Sequence, residues 1–278
     1  MKVFISADME GATGVTNMLD VVEGKPGYER FRKMMTGDVN AAIDGAFEGG
    51  ATEVLVNDSH YTMRNILLEE LDSRASLISG IHKPLCMMEG IDSTFDAAFF
   101  VGYHAKAGTG EAVANHTLLG REIISVRLNG EPIGETQLNA AIAGYYDVPV
   151  VMVAGDDKVT REAKSVLGNV ETAVVKEGID RWTARCYPPK ETGRRIREAA
   201  GNALKKLNQF KPLKVEGEVK LEIEFMSTSE AALPTLFPGV VREDSRTVSV
   251  TDTDFIRAFK AFLGCMLLGW TASDELYG

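Results

Sequence analysis

The sequence is poor in cysteine and histidine and has no long apolar run. Its three cysteines are scattered without the spacing of a disulfide framework or a thiolate metal site. No segment approaches the ~20 apolar residues that span a bilayer. The first residues lead into Asp8 and Glu10 without the small-residue cleavage site of a signal peptide. We therefore expect a cytoplasmic protein that does not bind membranes.

Positive charge and several common motifs are also scarce. Lysine and arginine number 30 against 40 aspartate and glutamate residues, a net charge of −10. A chain of this charge repels phosphate backbones, so nucleic acid is not an expected partner. The glycine-rich nucleotide motifs, the Gly-x-Ser-x-Gly nucleophile elbow and the His-Glu-x-x-His zinc motif are all absent. These absences argue against nucleotide-binding, serine-hydrolase and thermolysin-type chemistry.

The hydrophobic pattern of the chain indicates an α/β fold. In the first half, short apolar runs alternate with segments whose apolar residues recur every three to four positions. This alternation predicts a mostly parallel sheet flanked by helices. The predicted strands are residues 3–7, 54–56, 76–79, 97–101, 123–128, 148–154, 219–225 and 247–250. The predicted helices are residues 28–47, 136–146, 158–167, 190–210 and 255–270.

The pattern changes towards the C-terminus. Residues 219–225 alternate apolar and polar side chains, as a half-exposed strand does. We predict a catalytic α/β domain over residues 1–184 and a smaller α+β domain over residues 185–278. Asp156 or Asp157 is expected to cap the helix 158–167, and Thr251 or Asp252 the final helix.

Acidic residues and histidines follow several of the predicted strands at the point where each strand ends. The carboxyl ends of parallel strands meet at one edge of a sheet, where ligands bind in open α/β folds. We therefore expect these side chains to converge. They are Asp8 and Glu10, then Asp58 and His60, then His104, and finally Glu135 after a hairpin turn at residues 129–130.

Imidazoles and carboxylates together form a mixed nitrogen and oxygen ligand set. Such a set suits Zn²⁺ or Mn²⁺, and the nitrogens favour zinc. Five ligands are too many for one catalytic zinc ion, which keeps an open position, whereas two ions bridged by a carboxylate use them all. Asp8 and Glu10 lie two residues apart, so in an extended segment both point the same way and one can bridge.

Each of these residues also has a simpler interpretation. The Asp8–Glu10 pair fits a solvated turn, and Glu135 fits an acid at a helix N-terminus. A single histidine after a strand is more often structural. Asp58 fits either a turn residue or a partner that holds His60 in one tautomer. These interpretations weaken together, because only four histidines occur and His60 and His104 both follow strands.

The remaining two histidines differ in context. His116 lies twelve residues after His104, across the glycine-rich segment 108–110. It is a candidate ligand, proton donor or oxyanion stabiliser, and the alternative is a loop residue without a role. His82 fits no pattern and is expected at the surface.

Four of these segments resemble the metal motifs of bacterial zinc-dependent D-aminopeptidases, the family encoded with dipeptide-transport genes. The segments are residues 6–11 (Ser-Ala-Asp-Met-Glu-Gly), 56–60 (Val-Asn-Asp-Ser-His), 102–105 (Gly-Tyr-His-Ala) and 134–135 (Gly-Glu). The resemblance extends to about residue 184 and is weaker beyond it. It implies two zinc ions per chain, with Asp8, Glu10, His60, His104 and Glu135 at the ligand positions and a catalytic role for His116. It also implies a homo-oligomer, with a decameric ring as the expected form.

The predicted function is hydrolysis of short peptides that begin with a D-amino acid such as D-alanine, by metal-activated water. A dinuclear phosphoesterase is one alternative, although the cationic clamps that phosphate sites use are limited here to Arg64, Lys106 and Arg121 near the motifs. A non-catalytic metal-binding protein is another. Structural zinc favours thiol-rich sites, which this carboxylate-rich set does not resemble.

Overall fold

A seven-stranded sheet forms the centre of the fold. The computed structural model describes residues 1–272. The sheet has the order β3-β2-β1-β4-β7-β8-β9, and all neighbouring strands are parallel except β8 and β9. Its strands are β1 Lys2–Ala7, β2 Glu53–Asp58, β3 Ala75–Ile78, β4 Ala97–Tyr103, β7 Val150–Asp156, β8 Glu171–Asp180 and β9 Thr183–Cys186.

A five-stranded antiparallel sheet forms the second layer of strands. Its order is β11-β12-β10-β5-β6. Apolar and polar side chains alternate along β10, whose apolar residues are buried while the others are partly exposed. One face of this sheet therefore packs against the core. The strands are β5 Ile123–Leu128, β6 Glu131–Ile133, β10 Val219–Phe225, β11 Val241–Arg242 and β12 Thr247–Asp252.

Within the described residues, six α-helices cover the two sheets. Helices α1 and α4 pack against each other beside the seven-stranded sheet, and α6 packs on β10 and β12 of the five-stranded sheet. None of the helices within residues 1–272 combines the length and hydropathy of a membrane span. The helices are α1 Tyr28–Glu48, α2 Glu135–Tyr145, α3 Asp157–Leu167, α4 Pro189–Lys205, α5 Thr228–Ala232 and α6 Phe255–Thr271.

The predicted α/β class is confirmed, with corrections at particular elements. Strands β6, β8, β9 and β11 and helix α5 were not predicted, and the predicted helix 190–210 ends as α4 at Lys205. Asp156 caps α3 as expected, by accepting from the backbone N–H groups of Lys158 and Val159. The prediction that Thr251 or Asp252 caps the final helix is wrong. β12 continues through both residues, and Asp254 is the cap.

The two sheets do not divide the chain at residue 184. Strands β5 and β6 precede that residue but belong to the five-stranded sheet, where Leu128 pairs with Leu221 of β10. Helix α4 follows it but packs on α1 and β8. The proposed domains 1–184 and 185–278 stay a prediction, and the chain crosses between the sheets more than once.

The contact between α1 and α4 depends on glycine. A Cβ atom at Gly45 would lie 2.3 Å from the carbonyl oxygen of Arg197 in α4, whereas a Cβ at Gly37 in the same helix would meet nothing within 4 Å. Replacing Gly by Ala inside a helix gains up to about 1 kcal/mol. At a closely packed position, overpacking costs about 1–3 kcal/mol.

We predict that Gly45→Ala lowers the free energy of unfolding by about 1–2 kcal/mol, while Gly37→Ala leaves it unchanged or raises it. Urea unfolding followed by circular dichroism measures both. The two variants make the same chemical change in one helix, so their difference reports the contact with α4. Equal stabilisation by both would show that the helices do not approach this closely.

Candidate metal centre

The strand ends bring the predicted ligands together. β1 lies between β2 and β4, so the residues that follow these three strands meet at one edge of the seven-stranded sheet. Asp8 and Glu10 follow β1, His60 follows β2, and His104 follows β4 directly. Glu135 is the first residue of α2 and approaches from the five-stranded sheet. All five are buried, with exposed fractions of 2–6%.

Asp8 stands between the two imidazoles. The Asp8 Oδ1 atom lies 3.5 Å from His60 Nδ1, and its Oδ2 atom lies 3.5 Å from His104 Nε2. Each imidazole also faces a second carboxylate. His60 Nδ1 is 2.8 Å from Glu10 Oε2, and His104 Nε2 is 3.3 Å from Glu135 Oε1. The five residues thus form two clusters that share Asp8.

His116 joins this arrangement from its own loop. Its Nε2 atom lies 3.9 Å from both Glu10 Oε1 and Glu135 Oε1, and its ring stacks on that of His104 with centroids 4.0 Å apart. Its side chain is 15% exposed, more than those of the other five residues. His116 is therefore the member of the group nearest to solvent.

Backbone carbonyls orient all three imidazoles. A carbonyl oxygen only accepts, so the ring nitrogen that faces it carries a proton and the other nitrogen is turned towards the carboxylates. This is the usual arrangement of metal-binding histidines. The contacts are His60 Nε2 to Val21 O at 2.8 Å, His104 Nδ1 to Ala105 O at 3.1 Å and His116 Nδ1 to Ala114 O at 2.6 Å.

The inward-facing atoms need positive charge between them. Within residues 1–272, the buried atoms Asp8 Oδ2 and His104 Nε2 find no hydrogen-bond partner. Ligand atoms of Asp8, Glu10 and His104 lie within 4.8 Å of one another, as do those of His104, His116 and Glu135. Nitrogen and carboxylate oxygen at such spacing fit divalent metal ions.

The pKa values show how strongly the groups interact when only protons are available. Burial, with the charge of Glu10, raises the pKa of Asp8 to about 8. Burial also acts against ionisation of Glu10, but the charge of His60 lowers the Glu10 pKa well below its usual value. Burial lowers the pKa values of His60 and His104, yet facing carboxylates raise both well above the ordinary value. The protonated imidazoles of His60 and His104 supply the positive charge that a cation between the carboxylates would supply.

The pKa of His116 shifts in the opposite direction to those of His60 and His104. Burial, followed by the charge of His104, lowers the pKa of His116 below its ordinary value. Its imidazole is therefore neutral at neutral pH, with the proton on Nδ1 and a lone pair on Nε2. A neutral imidazole in this position is able to accept a proton from a neighbouring group.

Known proteins match the chain along almost its whole length. The sequence profile of peptidase family M55, described as D-aminopeptidase, matches residues 1–264. The chain belongs to the D-aminopeptidase family. A D-aminopeptidase from Bacillus subtilis (strain 168) is 43% identical over 267 residues, which cover 95% of this chain and 96% of that protein. The solved structure of the Zn-dependent D-aminopeptidase DppA from Bacillus subtilis, described as a self-compartmentalizing protease, has a TM-score of 0.95 and 42% identity. It covers 99% of this chain and 100% of its own.

Membership of the D-aminopeptidase family confirms the predicted enzyme class, a metallo-aminopeptidase that hydrolyses peptide bonds. The family match extends beyond residue 184, to residue 264. The ligand assignments and the role of His116 stay proposals.

Asp58 supports the segment that carries His60. Its carboxylate accepts from the backbone N–H groups of Asn65 and Ile66 at 2.6 and 2.8 Å, and from Asn65 Nδ2 at 2.8 Å. Asn65 Nδ2 also donates to the carbonyl oxygen of His60 at 2.7 Å. The acceptor that holds the ring is therefore the Val21 carbonyl, and Asp58 acts on the backbone of this segment through Asn65.

A buried lysine fastens the segment that carries Glu10. The side chain of Lys176 in β8 is fully buried. Its ammonium group donates to three carbonyl oxygens, those of Glu10 at 2.6 Å, Ala12 at 2.9 Å and Val15 at 2.7 Å. A buried charge is tolerated when its donors are all used. Sequence reasoning missed this residue, although a lysine at the end of the apolar run 173–175 was a clue.

The loop that carries His116 is fixed by neighbouring elements. Asp156 Oδ2 accepts from the backbone N–H of Val113 at 2.9 Å, and Ala114 N donates to Arg181 O at 2.8 Å. Leu118 N donates to Glu135 Oε1 at 2.7 Å. The same carboxylate that faces His104 therefore also holds the far side of the His116 loop.

Asp38 of α1 is the anionic anchor of the segment after β1. Its two carboxylate oxygens accept from Thr13 N and Thr13 Oγ1, both at 2.8 Å. Burial nevertheless raises the pKa of Asp38 to about 6, above the ~3.9 of an unfolded chain. Between about pH 4 and pH 6 the native state binds more protons than the unfolded state, so this group's contribution to stability falls as pH rises.

We predict that Asp38→Asn removes this pH dependence. The measured quantity is the free energy of unfolding of the original protein minus that of the variant. This difference should fall by about 2 kcal/mol between pH 4 and pH 7. Urea unfolding across this range measures the difference, and Asp44→Asn, at a half-exposed carboxylate of α1 that pairs with Arg74, is the control. A difference that stays constant with pH would show that Asp38 titrates as it does in the unfolded chain.

Proposed function

We propose that this protein is a dinuclear zinc D-aminopeptidase that removes an N-terminal D-residue, such as D-alanine, from short peptides. The observation that carries the proposal is the pair of clusters sharing Asp8, each with one carbonyl-anchored imidazole and one further carboxylate. His60 and Glu10 belong to one cluster, and His104 and Glu135 to the other. The relatives described as zinc-dependent and as D-aminopeptidases support the same conclusion.

Each ligand has a place in this scheme. Asp8 would bridge the two zinc ions, since its two oxygens face different imidazoles. When bound, the two ions would supply Lewis acidity and a water molecule activated at neutral pH. The imidazoles and Asp8 must lose protons as zinc binds, so zinc affinity should rise with pH.

His116 would move the proton during hydrolysis. Its Nδ1–H is donated to the Ala114 carbonyl, so Nε2 keeps a lone pair directed to the side where Glu10 and Glu135 lie. Because the imidazole is neutral, it would first accept a proton from the attacking water and then return it to the leaving amine. This acid–base role needs no covalent bond to His116.

The phosphoesterase alternative finds no support in two of the three cationic side chains near the motifs. Lys106 Nζ donates to the Pro132 carbonyl, and Arg64 pairs with Glu23 at the surface. Both cationic groups therefore have partners outside the six residues of the centre. The clamp that would hold a phosphoryl group is therefore absent from these two positions.

We propose a homo-oligomer as the active form, with a decameric ring as the expected size. The self-compartmentalizing relative supports assembly. Several large apolar side chains of the C-terminal part are exposed, among them Leu236 at 75%, Phe237 at 56% and Trp270 at 46%. Exposed apolar groups of this kind are typical of surfaces that contact another protein.

The direct test compares alanine release from D-Ala-D-Ala and L-Ala-L-Ala by the zinc-loaded protein. We expect release from the D form. Release from the L form alone would retain an aminopeptidase but contradict the proposed stereospecificity. Cleavage of neither dipeptide, with hydrolysis of p-nitrophenyl phosphate instead, would favour the phosphoesterase.

His116→Gln should separate catalysis from metal binding. We predict that the variant keeps its full zinc content and loses about 10²–10⁴-fold in kcat, the usual contribution of a general acid–base group. His82→Gln, at an exposed histidine, is the matched control and should keep full activity. Loss of zinc from His116→Gln would make His116 a ligand.

Asp8→Ala should show whether Asp8 bridges. We predict that it retains well below one zinc equivalent per chain after dialysis, because both clusters lose a ligand. Glu135→Ala removes a ligand from one cluster only and should retain about one equivalent. Atomic absorption measures both variants. One full equivalent in Asp8→Ala would contradict bridging.

A further inference from the structure

A second layer of polar side chains lies directly behind the ligands. Its members come from the four separate parts of the chain that supply the ligands. All are buried, with exposed fractions of 0–5%. They are Ser6 of β1, Ser59 after β2, Tyr103 of β4 and Asn139 of α2.

Each member of this layer is close in sequence to one ligand. In a strand, residues two apart share a face, and in a helix residues four apart do so. This spacing applies to Ser6 with Asp8 and to Asn139 with Glu135, whereas Ser59 and Tyr103 are the direct neighbours of His60 and His104. The pairs are Ser6 with Asp8, Ser59 with His60, Tyr103 with His104, and Asn139 with Glu135.

Hydrogen bonds join the layer into one chain. Asn139 Nδ2 donates to the Tyr103 hydroxyl at 3.0 Å, and that hydroxyl lies 2.7 Å from Ser6 Oγ. Ser6 Oγ donates to the carbonyl oxygen of Met87 at 2.8 Å, so the hydroxyl proton of Tyr103 is directed to Ser6. Ser59 Oγ lies 2.8 Å from Ser6 Oγ. Each hydroxyl therefore has a partner that can accept its proton.

Apolar side chains would fill this space without the cost of burying hydroxyl and amide groups. A satisfied polar network instead fixes the relative position of the elements that carry it, because hydrogen bonds are directional. The Asn139–Tyr103 bond matters most here. It joins α2, whose first residue is Glu135, to β4, which ends one residue before His104.

We propose that Tyr103 is a positioning residue, which through Ser6 and Asn139 sets the separation between Glu135 and the ligands of the seven-stranded sheet. This inference rests on the proposed zinc centre. Neither Tyr103 nor its two partners would touch zinc or substrate. Their effect would appear in the affinity and geometry of the cluster that contains His104 and Glu135.

Tyr103→Phe tests the inference with little disturbance of packing, because the ring can stay stacked on Phe100, with centroids 4.4 Å apart. We expect zinc affinity, measured by chelator competition, to fall about 10–100-fold for one of the two ions. The absorption spectrum of the cobalt-substituted protein should change, and kcat should fall more than KM changes. Tyr187→Phe, which removes a tyrosine hydroxyl bonded to Glu177, is the control and should leave all three unchanged.

If Tyr103 has only a structural role, Tyr103→Phe will lower the melting temperature of the zinc-free protein and leave zinc affinity and the cobalt spectrum unchanged. That result would overturn the inference. If Tyr103→Phe does not fold, Ser6→Ala is measured in its place, and we expect the same changes in zinc affinity, cobalt spectrum and kcat. Its control is Ser249→Ala, at a buried serine of the five-stranded sheet. Failure of the unsubstituted protein to bind zinc would overturn the proposed function together with this inference. Normal zinc affinity in the variants would overturn the inference alone.

Discussion

Repulsion among three buried carboxylates is the constraint on which the rest of the structure depends. Asp8, Glu10 and Glu135 share one solvent-poor space. Like charges at this spacing raise one another's pKa values unless positive charge separates them. Burial of the carboxyl group, followed by the negative charge of Glu10, raises the pKa of Asp8 to about 8. Metal ions would remove this repulsion and bind the groups at the same time.

Hydrogen bonds from several elements hold the segments around this centre. Two parallel strand pairs bring three ligand segments to one edge, and the segment after β1 is held from two sides by Lys176 and Asp38. Hydrogen bonds from Lys176 and Asp38 limit how far this segment moves between the metal-free and the metal-bound protein. A centre held in this way is preorganised, so less binding energy is lost in ordering ligands.

Much of this centre could be predicted because its residues follow recognisable strands. Asp8, His60 and His104 each come just after a short apolar run, and parallel strand ends meet at one edge. The residues that hold these segments in place could not be predicted from strand ends, since Lys176 lies within β8, a strand that was not predicted. The Val21 carbonyl that orients His60 is a backbone group, which leaves no trace in side-chain patterns.

The most direct test of the central claim is anomalous X-ray diffraction at the zinc absorption edge from crystals of the zinc-loaded protein. We predict two zinc peaks per chain, about 3.5–4 Å apart as in other dinuclear centres, with Asp8 between them. His60 and Glu10 should lie beside one peak, and His104 and Glu135 beside the other. A single peak, or two peaks with Asp8 bound to only one, would contradict the shared centre.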